Sequence, residues 1–433
     1  MKRWMRAVLP AFLLAISVGQ IYAFTNFSDP IARHLACGDA AVAKALLPKV
    51  QFAFSLGIFF LGMGAAFFGK IVEKNIRLST IVGTALFLSG LCVTGLGVSA
   101  KSMALIYLGY GLLIGLGTGI IYISPVKTMM LWFPEHKAIA AALPIISFGL
   151  GSTLSTVVYK GFSAGGPGSL FSVSFLGLYG WFGVGENAGA VARVFRGFAV
   201  FYAPAMIASA FLLKKPKVQV QSFGHDMASL GFKYSDLMKN RFFWQAWLFM
   251  FLNISAGLCL IPLAKQMMKS PAVGYSESLA TAVVALAGVM NGGGRFLFAW
   301  WSDRLSRRID ILLFILAISA GVMTLSFWPP VIGLAMLVIN ACYGAGFSVI
   351  PAILADRFGM TDISKIHGAV LSAWGFAGLF ANQFAIFVAN LFGGYGEGGH
   401  GYAAVVAMLV AVYFLNLLNA SSLRAMTMAK GER

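Results

Sequence analysis

Residues 291–308 read NGGGRFLFAWWSDRLSRR. An apolar run carries one cation, Arg295, in its interior and then ends in an acid followed by bases: Asp303, Arg304, Arg307 and Arg308. Residues 69–77, GKIVEKNIR, close another apolar run in the same way, with Glu73, Lys74 and Arg77. In both places the first base directly follows the acid and the next lies three residues further on. Gly69 and Ala299 each stand four residues before their acid. A second correspondence supports the first. Gly115, Gly117 and Gly119 lead to Pro125 and Phe133, while Gly344 and Gly346 lead to Pro351 and Phe358. Two matches at corresponding places imply an internal repeat with two parallel halves, a mark of secondary transporters.

The chain around these elements is apolar. Hydrophobic residues make up 59% of it and charged residues 11%, where a soluble domain carries about 25% charged. Its 50 glycines point the same way, because glycine is more frequent in membrane helices than in soluble ones. A span needs about 20 mostly apolar residues. Twelve are readable, near 7–28, 50–69, 78–99, 103–124, 138–160, 194–213, 242–263, 278–300, 309–328, 330–350, 367–391 and 402–423. The first is long and lacks a clear cleavage site, so it reads as a span rather than a signal peptide. The expected fold is an all-α membrane protein: twelve transmembrane helices in two six-helix pseudo-symmetric halves.

The net charge of +18 is topological. Nucleic-acid binding would gather cations on a polar face or tail, and here they sit between apolar runs. Cytoplasmic loops carry the Lys/Arg excess. With both termini inside, the inner side receives the ends, the 69–77 and 301–308 loops and the basic 214–241 stretch. The outer side holds Arg33, Lys44, Lys49, Lys101, Lys160, Arg193, Arg196, Lys265 and Lys269. The Gly-rich segment 161–193 contains an apolar run, Phe171 to Phe182. A thirteenth span there would carry the basic 214–241 loop to the wrong side, so 161–193 reads as an external loop. The expected organisation is an N-terminal half over 1–213, an inter-half cytoplasmic loop over 214–241 and a C-terminal half over 242–433. Four scattered cysteines, Cys37, Cys92, Cys259 and Cys342, show neither a disulfide framework nor metal-ligand spacing. No cofactor motif and no acid-base pair for catalysis is present, so no enzyme is expected.

The acid-base loops resemble the signature of the major facilitator superfamily between helices two and three and its copy between eight and nine. Departures are Glu73 for an Asp, Ile76 and Ser306 for a Gly, and Ala299 for the opening Gly. The resemblance implies that Gly69, Glu73, Lys74 and Arg77, with Asp303, Arg304 and Arg307, latch the cytoplasmic side as the halves rock. The alternative is that these charges only set topology. Within that superfamily four stretches resemble the oxalate/formate antiporter and monocarboxylate porter branch. They are Gly117 to Tyr122 with Trp132-Phe133-Pro134 and Phe148-Gly149-x-Gly151; Asn253 to Leu258; Asn291 to Arg295 before Ser302-Asp303-Arg304; and Ala373 to Gly378. Lys137 and Ala138 stand where that branch has Arg-Gly.

An arginine at membrane depth costs roughly 2.5–3.5 kcal/mol and marks function by default. Arg295 needs an anion, and no Asp or Glu is read within a span; Asp29, Glu277 and Glu397 lie near ends or in loops. A guanidinium matches a carboxylate in a two-bond fork, so a substrate carboxylate is the expected partner. The other reading is an arginine held by carbonyls for structure. Asn291, four residues earlier, shares its helix face. Tyr122, Asn26 and Tyr22 are further candidate contacts, each with packing as the competing role. Trp374 stands where the resemblance places a lysine in the oxalate carrier, and no Lys or Arg occurs between His367 and Arg424. One buried cation balances one carboxylate. The expected function is transport of a small organic monocarboxylate by alternating access, as anion antiport or proton symport. A carrier of another solute (a dicarboxylate, an amino acid or a drug) and a non-transporting carboxylate sensor are the rivals. His34 and His367 fall at span ends and read as solvated. Expected partners are the carboxylate substrate and the lipid bilayer, in a monomer of the bacterial cytoplasmic membrane.

Overall fold

The computed structural model describes residues 4–163, 190–216, 233–305, 307–396 and 398–431. The 161–193 segment lies outside the described residues except at its ends, and so does most of the 214–241 linker.

A helix closes its backbone hydrogen bonds within itself, which an apolar chain in lipid requires. Twelve membrane helices follow among the described residues. They are α1 (Trp4–Phe24), α2 (Ala40–Lys74), α3 (Ile76–Ser99), α4 (Met103–Trp132), α5 (Lys137–Ser163), α6 (Ala190–Leu212), α7 (Arg241–Lys269), α8 (Glu277–Ser302), α9 (Ile309–Leu325), α10 (Ile332–Phe358), α11 (Ile363–Leu391) and α12 (Gly401–Gly431). Eleven are long and apolar enough to cross a bilayer, and α9 is apolar with 17 residues, at the short end of the roughly 17–25 that span. Short polar side chains start several of them. Asp39 accepts the N–H groups of Ala41 and Val42 at 2.8 and 3.0 Å, Asn75 that of Leu78 at 3.0 Å, and Asn240 that of Phe243 at 3.1 Å. Each cap satisfies donors that a helix start leaves open.

The chain forms two compact units. The first comprises Met1–Trp132 and Ser147–Gln219, the second Phe133–Ile146 and Val220–Arg433, so the division falls inside α5. Within the first unit α2 packs along α4, α3 along α6 and α4, and α1 against α6 and α4. Within the second unit α8 packs along α10, α9 along α12 and α10, and α7 against α12 and α10. Each pairing recurs six helices later. The repeat visible in two short sequence elements is therefore carried by the packing of each unit.

Glycine makes the closest seams, as expected where packing rather than hydrophobicity drives helix association in lipid. A Cβ on Gly119 of α4 would lie 2.1 Å from the Leu61 carbonyl oxygen of α2. A Cβ on Gly294 of α8 would lie 2.2 Å from the Ala341 carbonyl oxygen of α10, whereas Gly292 and Gly293 face open space. Backbone cannot yield as a flexible side chain can. Gly294→Ala is thus expected to destabilise the protein by about 1–3 kcal/mol. Thermal unfolding of purified protein checks this, and an unchanged midpoint would refute the seam.

Three expectations need correction. Helix α2 continues to Lys74, so Glu73 is a helical residue with an 11% exposed side chain rather than a loop acid beyond the span. Helix α11 begins at Ile363, four residues before the expected start, and this places His367 within it, 3% exposed. His34 lies on the helix Thr25–Leu35 that follows α1, half-buried with both ring nitrogens covered. Neither histidine is a solvated loop residue.

Candidate functional site

Arg295 sits on α8 in the second unit and is 6% exposed. Its Nε donates to Asn291 Oδ1 at 3.0 Å, and its Nη1 donates to the Ile145 carbonyl of α5. The guanidinium carbon lies 5.5 Å from the centre of the Phe347 ring. That ring meets Trp374 edge-on, with centroids 4.8 Å apart. Gly344 of α10 makes room for the arginine, since a Cβ there would come within 2.9 Å of Arg295 Cγ and 2.3 Å of the Asn291 carbonyl oxygen. Asn253 of α7 is 3% exposed, and its Nδ2 has no hydrogen bond among the described residues.

The expectation that Arg295 lacks an internal partner is therefore corrected. Hydrogen bonds to a charged group contribute about 1.5–3 kcal/mol each, and a desolvated cation–π contact up to about 2 kcal/mol. Together these offset the cost of placing the arginine at depth. All three partners are neutral, however. They solvate the guanidinium without cancelling its charge. Among the described residues no carboxylate pairs with Arg295, and its Nη2 has no partner. The structure thus brings Arg295 and Asn291 together directly and Trp374 to them through Phe347.

In the first unit, Tyr22 of α1 and Tyr122 of α4 converge on Phe148 of α5, with centroid separations of 5.4 and 5.3 Å. Phe54 of α2 closes the cluster 6.0 Å from Tyr22. Tyr122 is buried, and Tyr22 is partly exposed. Asn26 lies beyond α1 on the helix Thr25–Leu35 and is exposed.

The two acid-base elements find different partners. In the first unit Glu73 pairs with Lys127 of α4, their side chains 11% and 5% exposed. Lys215 donates to the Glu73 carbonyl at 2.9 Å. Arg77 donates to the Phe211 carbonyl at 3.1 Å and stacks on that ring at 5.2 Å. Gly69 is buried and Lys74 exposed. In the second unit the Asp303 carboxylate, 2% exposed, accepts the N–H groups of Ala138 and Ile139 in the first turn of α5 at 3.0 and 2.9 Å. A negative charge at a helix N-terminus is favoured both by open N–H groups and by the helix dipole. Arg308 bridges Asp303 to Asp356, meeting the latter at 2.7 Å, and Lys137 reaches Asp356 at 2.9 Å. Arg304 lies 3.6 Å over Trp300, and Arg307 is exposed.

Sequence reasoning missed Lys127, Arg308 and Asp356 as partners. The signal was present. Lys127 and Asp356 both follow the prolines of the repeated Gly–Pro element, and α4 and α10 run eight residues past the expected span ends at 124 and 350. A further buried cation, Lys365, pairs with Asp362 at 3.1 Å and faces the Tyr234 ring at 5.8 Å. Burial raises the Tyr234 pKa, and the Asp362 charge adds to it.

The sequence profile of the Major Facilitator Superfamily matches residues 8–382. The chain belongs to that superfamily. It is an integral membrane transporter with the superfamily's twelve-helix fold, and not an enzyme. It is 24% identical over 397 residues to the oxalate:formate antiporter of Oxalobacter formigenes, covering 90% of this chain and 86% of the other. It is 25% identical over 385 residues to apicoplast pyruvate carrier 1 of Toxoplasma gondii, covering 77% and 69% respectively. Its fold is similar to the crystal structure of FucP, the fucose:proton symporter of Escherichia coli, in the outward conformation. The TM-score is 0.65 at 16% identity, with 94% of this chain and 98% of that chain covered. At that identity the likeness is one of fold alone.

Proposed function

We propose that this transporter moves a small organic monocarboxylate by alternating access, with the carboxylate paired to Arg295. The observation that carries the reading is a buried guanidinium whose protein partners are all neutral and whose Nη2 has no partner among the described residues. A carboxylate supplies the missing charge and fits the fork of donors. Asn291 holds Nε and so fixes the plane in which the remaining donors point. Trp374 and Phe347 give apolar area suited to a short organic tail. Tyr22 and Tyr122 are the candidate contacts of the N-terminal half. The names of two relatives point to the same chemistry, since oxalate, formate and pyruvate are all small carboxylates.

Lys127 and Lys365 are buried too but already hold acids, so Arg295 is the buried cation without a carboxylate among the described residues, and it favours one carboxylate. A dicarboxylate would carry a second charge to membrane depth, where an uncompensated ion is costly, and no Lys or Arg lies between His367 and Arg424 to meet it. The halves over 1–213 and 242–433 rock about the substrate, with both termini and the basic loops in the cytoplasm. Asp303 on the first turn of α5 and Glu73 on Lys127 are the contacts whose making and breaking accompany that motion. Asn291 cannot titrate, so exchange of two anions and symport with a proton carried elsewhere both satisfy the site.

Uptake of radiolabelled pyruvate, lactate, formate and oxalate into proteoliposomes tests the reading. Saturable uptake of at least one monocarboxylate is expected, with half-saturation about tenfold or more below that for oxalate, given the desolvation cost of the second charge. Equal half-saturation for oxalate and the best monocarboxylate would sink the single-cation argument.

A further inference from the structure

Helix α7 ends in Lys265 and Lys269, one turn apart on one face, and α8 begins at Glu277. Both ammonium groups pair with Glu277, one on each carboxylate oxygen. Among the described residues two cations share one anion, so one positive charge is left over. These side chains, with Gln266, Ser270 and Tyr395, line a cavity of about 660 Å³. The Tyr395 hydroxyl is buried and makes no hydrogen bond among the described residues. Burial, with the Cys259 thiol nearby, pushes its pKa up to about 12, so it remains a donor near neutral pH. The described lining therefore offers ammonium, amide and hydroxyl donors, with one more cation than anion among its side chains.

This is not the Arg295 site. Glu277 and Arg295 are eighteen residues apart on one helix, about 27 Å at 1.5 Å per residue. The cavity also lies at the end of α8 opposite Asp303, which the distribution of basic loops places on the outer face. We propose that it is a second, low-affinity carboxylate site, an antechamber that gathers the anion before it reaches Arg295; this deepens the carboxylate reading and depends on it. Surplus charge at a mouth raises the local concentration of an oppositely charged ligand in a salt-dependent way. It acts on KM and leaves turnover alone. An arriving carboxylate displaces one of the two Glu277 oxygens from its lysine.

Lysine methyl groups introduced by reductive ¹³C-dimethylation keep their charge and report the site by NMR. In phosphatidylcholine nanodiscs, titration with pyruvate is expected to give saturable shifts at Lys265 and Lys269, assigned with Lys265→Arg and Lys269→Arg. The shifts should persist in Arg295→Ala, whatever that substitution does to uptake. Absence of a saturable shift at both lysines overturns the site. So do shifts fixed by phosphatidylglycerol discs and insensitive to pyruvate, which would make the occupant a lipid headgroup. Uptake gives a second reading. Lys265→Gln with Lys269→Gln should raise KM about threefold with kcat unchanged, and Glu277→Gln should lower KM by a similar factor. A merely structural ion pair would move KM in the same direction in both variants, and that result would overturn the proposal. Loss of pyruvate uptake by wild type with the shifts intact would count against the transport reading alone.

Discussion

Arg295→Ala is expected to lower kcat/KM for monocarboxylate uptake by roughly 100-fold or more, with little protein lost from the membrane. The magnitude follows from what the guanidinium can do. A charge-assisted bond contributes about 1.5–3 kcal/mol, a fork makes two, and about 1.4 kcal/mol is tenfold. Alanine removes both bonds and a buried cation that no carboxylate pairs among the described residues, while leaving Asn291 and the Ile145 carbonyl to water. Arg295→Lys is the sharper test. Lysine keeps the charge but is a single point donor. It cannot hold the Ile145 carbonyl, the Asn291 amide and a carboxylate fork at once, so it is expected to restore less than a tenth of the lost activity. Proteoliposome uptake at several pyruvate concentrations separates KM from kcat, and thermal unfolding of the same samples controls for folding. Unaltered uptake in Arg295→Ala would make the arginine a structural strut between α8 and α5, and the carboxylate site would have to lie elsewhere.

The difference between what was readable and what was not is a difference between kinds of partner. Arg295 stood out because a cation in an apolar run is a compositional anomaly, and Asn291 followed from helical spacing. Its remaining neighbours did not. The Ile145 carbonyl belongs to every residue type alike, and the Phe347 ring is one of 38 phenylalanines. The meeting of Tyr22 and Tyr122 across Phe148 joins three helices, and no periodicity within one helix encodes it. The repeat was legible from Glu73, Lys74 and Arg77 against Asp303, Arg304 and Arg307, because charges at helix ends keep their spacing. The divergence of the two copies was not. Glu73 is taken up by Lys127 on a helix that runs past its apolar core, while Asp303 caps another helix and engages Arg308. Hydropathy ends a span where the apolar residues end; α4 and α10 continue to Trp132 and Phe358, past the paired charges of Lys127 and Asp356.

The Glu73–Lys127 pair gives the largest stability effect expected in the first unit. Both side chains are nearly excluded from water. Removing one partner of such a pair leaves an uncompensated buried charge and costs about 3–5 kcal/mol. Lys127→Met keeps the apolar stem of the lysine and deletes only the ammonium, so packing between α2 and α4 is preserved and the loss is electrostatic. A drop in the unfolding midpoint on the order of 5–10 °C is expected. Lys215 cannot rescue it, because its bond goes to the Glu73 carbonyl and not to the carboxylate. The double variant Glu73→Gln with Lys127→Met should recover most of the midpoint, since replacing both members of a buried pair is often neutral. Turnover then distinguishes two roles. A pair that only sets helix packing leaves kcat near wild type once stability is recovered. A pair that must break in each cycle gives a double variant with wild-type stability and a shifted kcat, because the energy difference between its two states has changed. Equal midpoints for wild type and Lys127→Met would mean that water already reaches Glu73, and the pair would contribute no more than an exposed one.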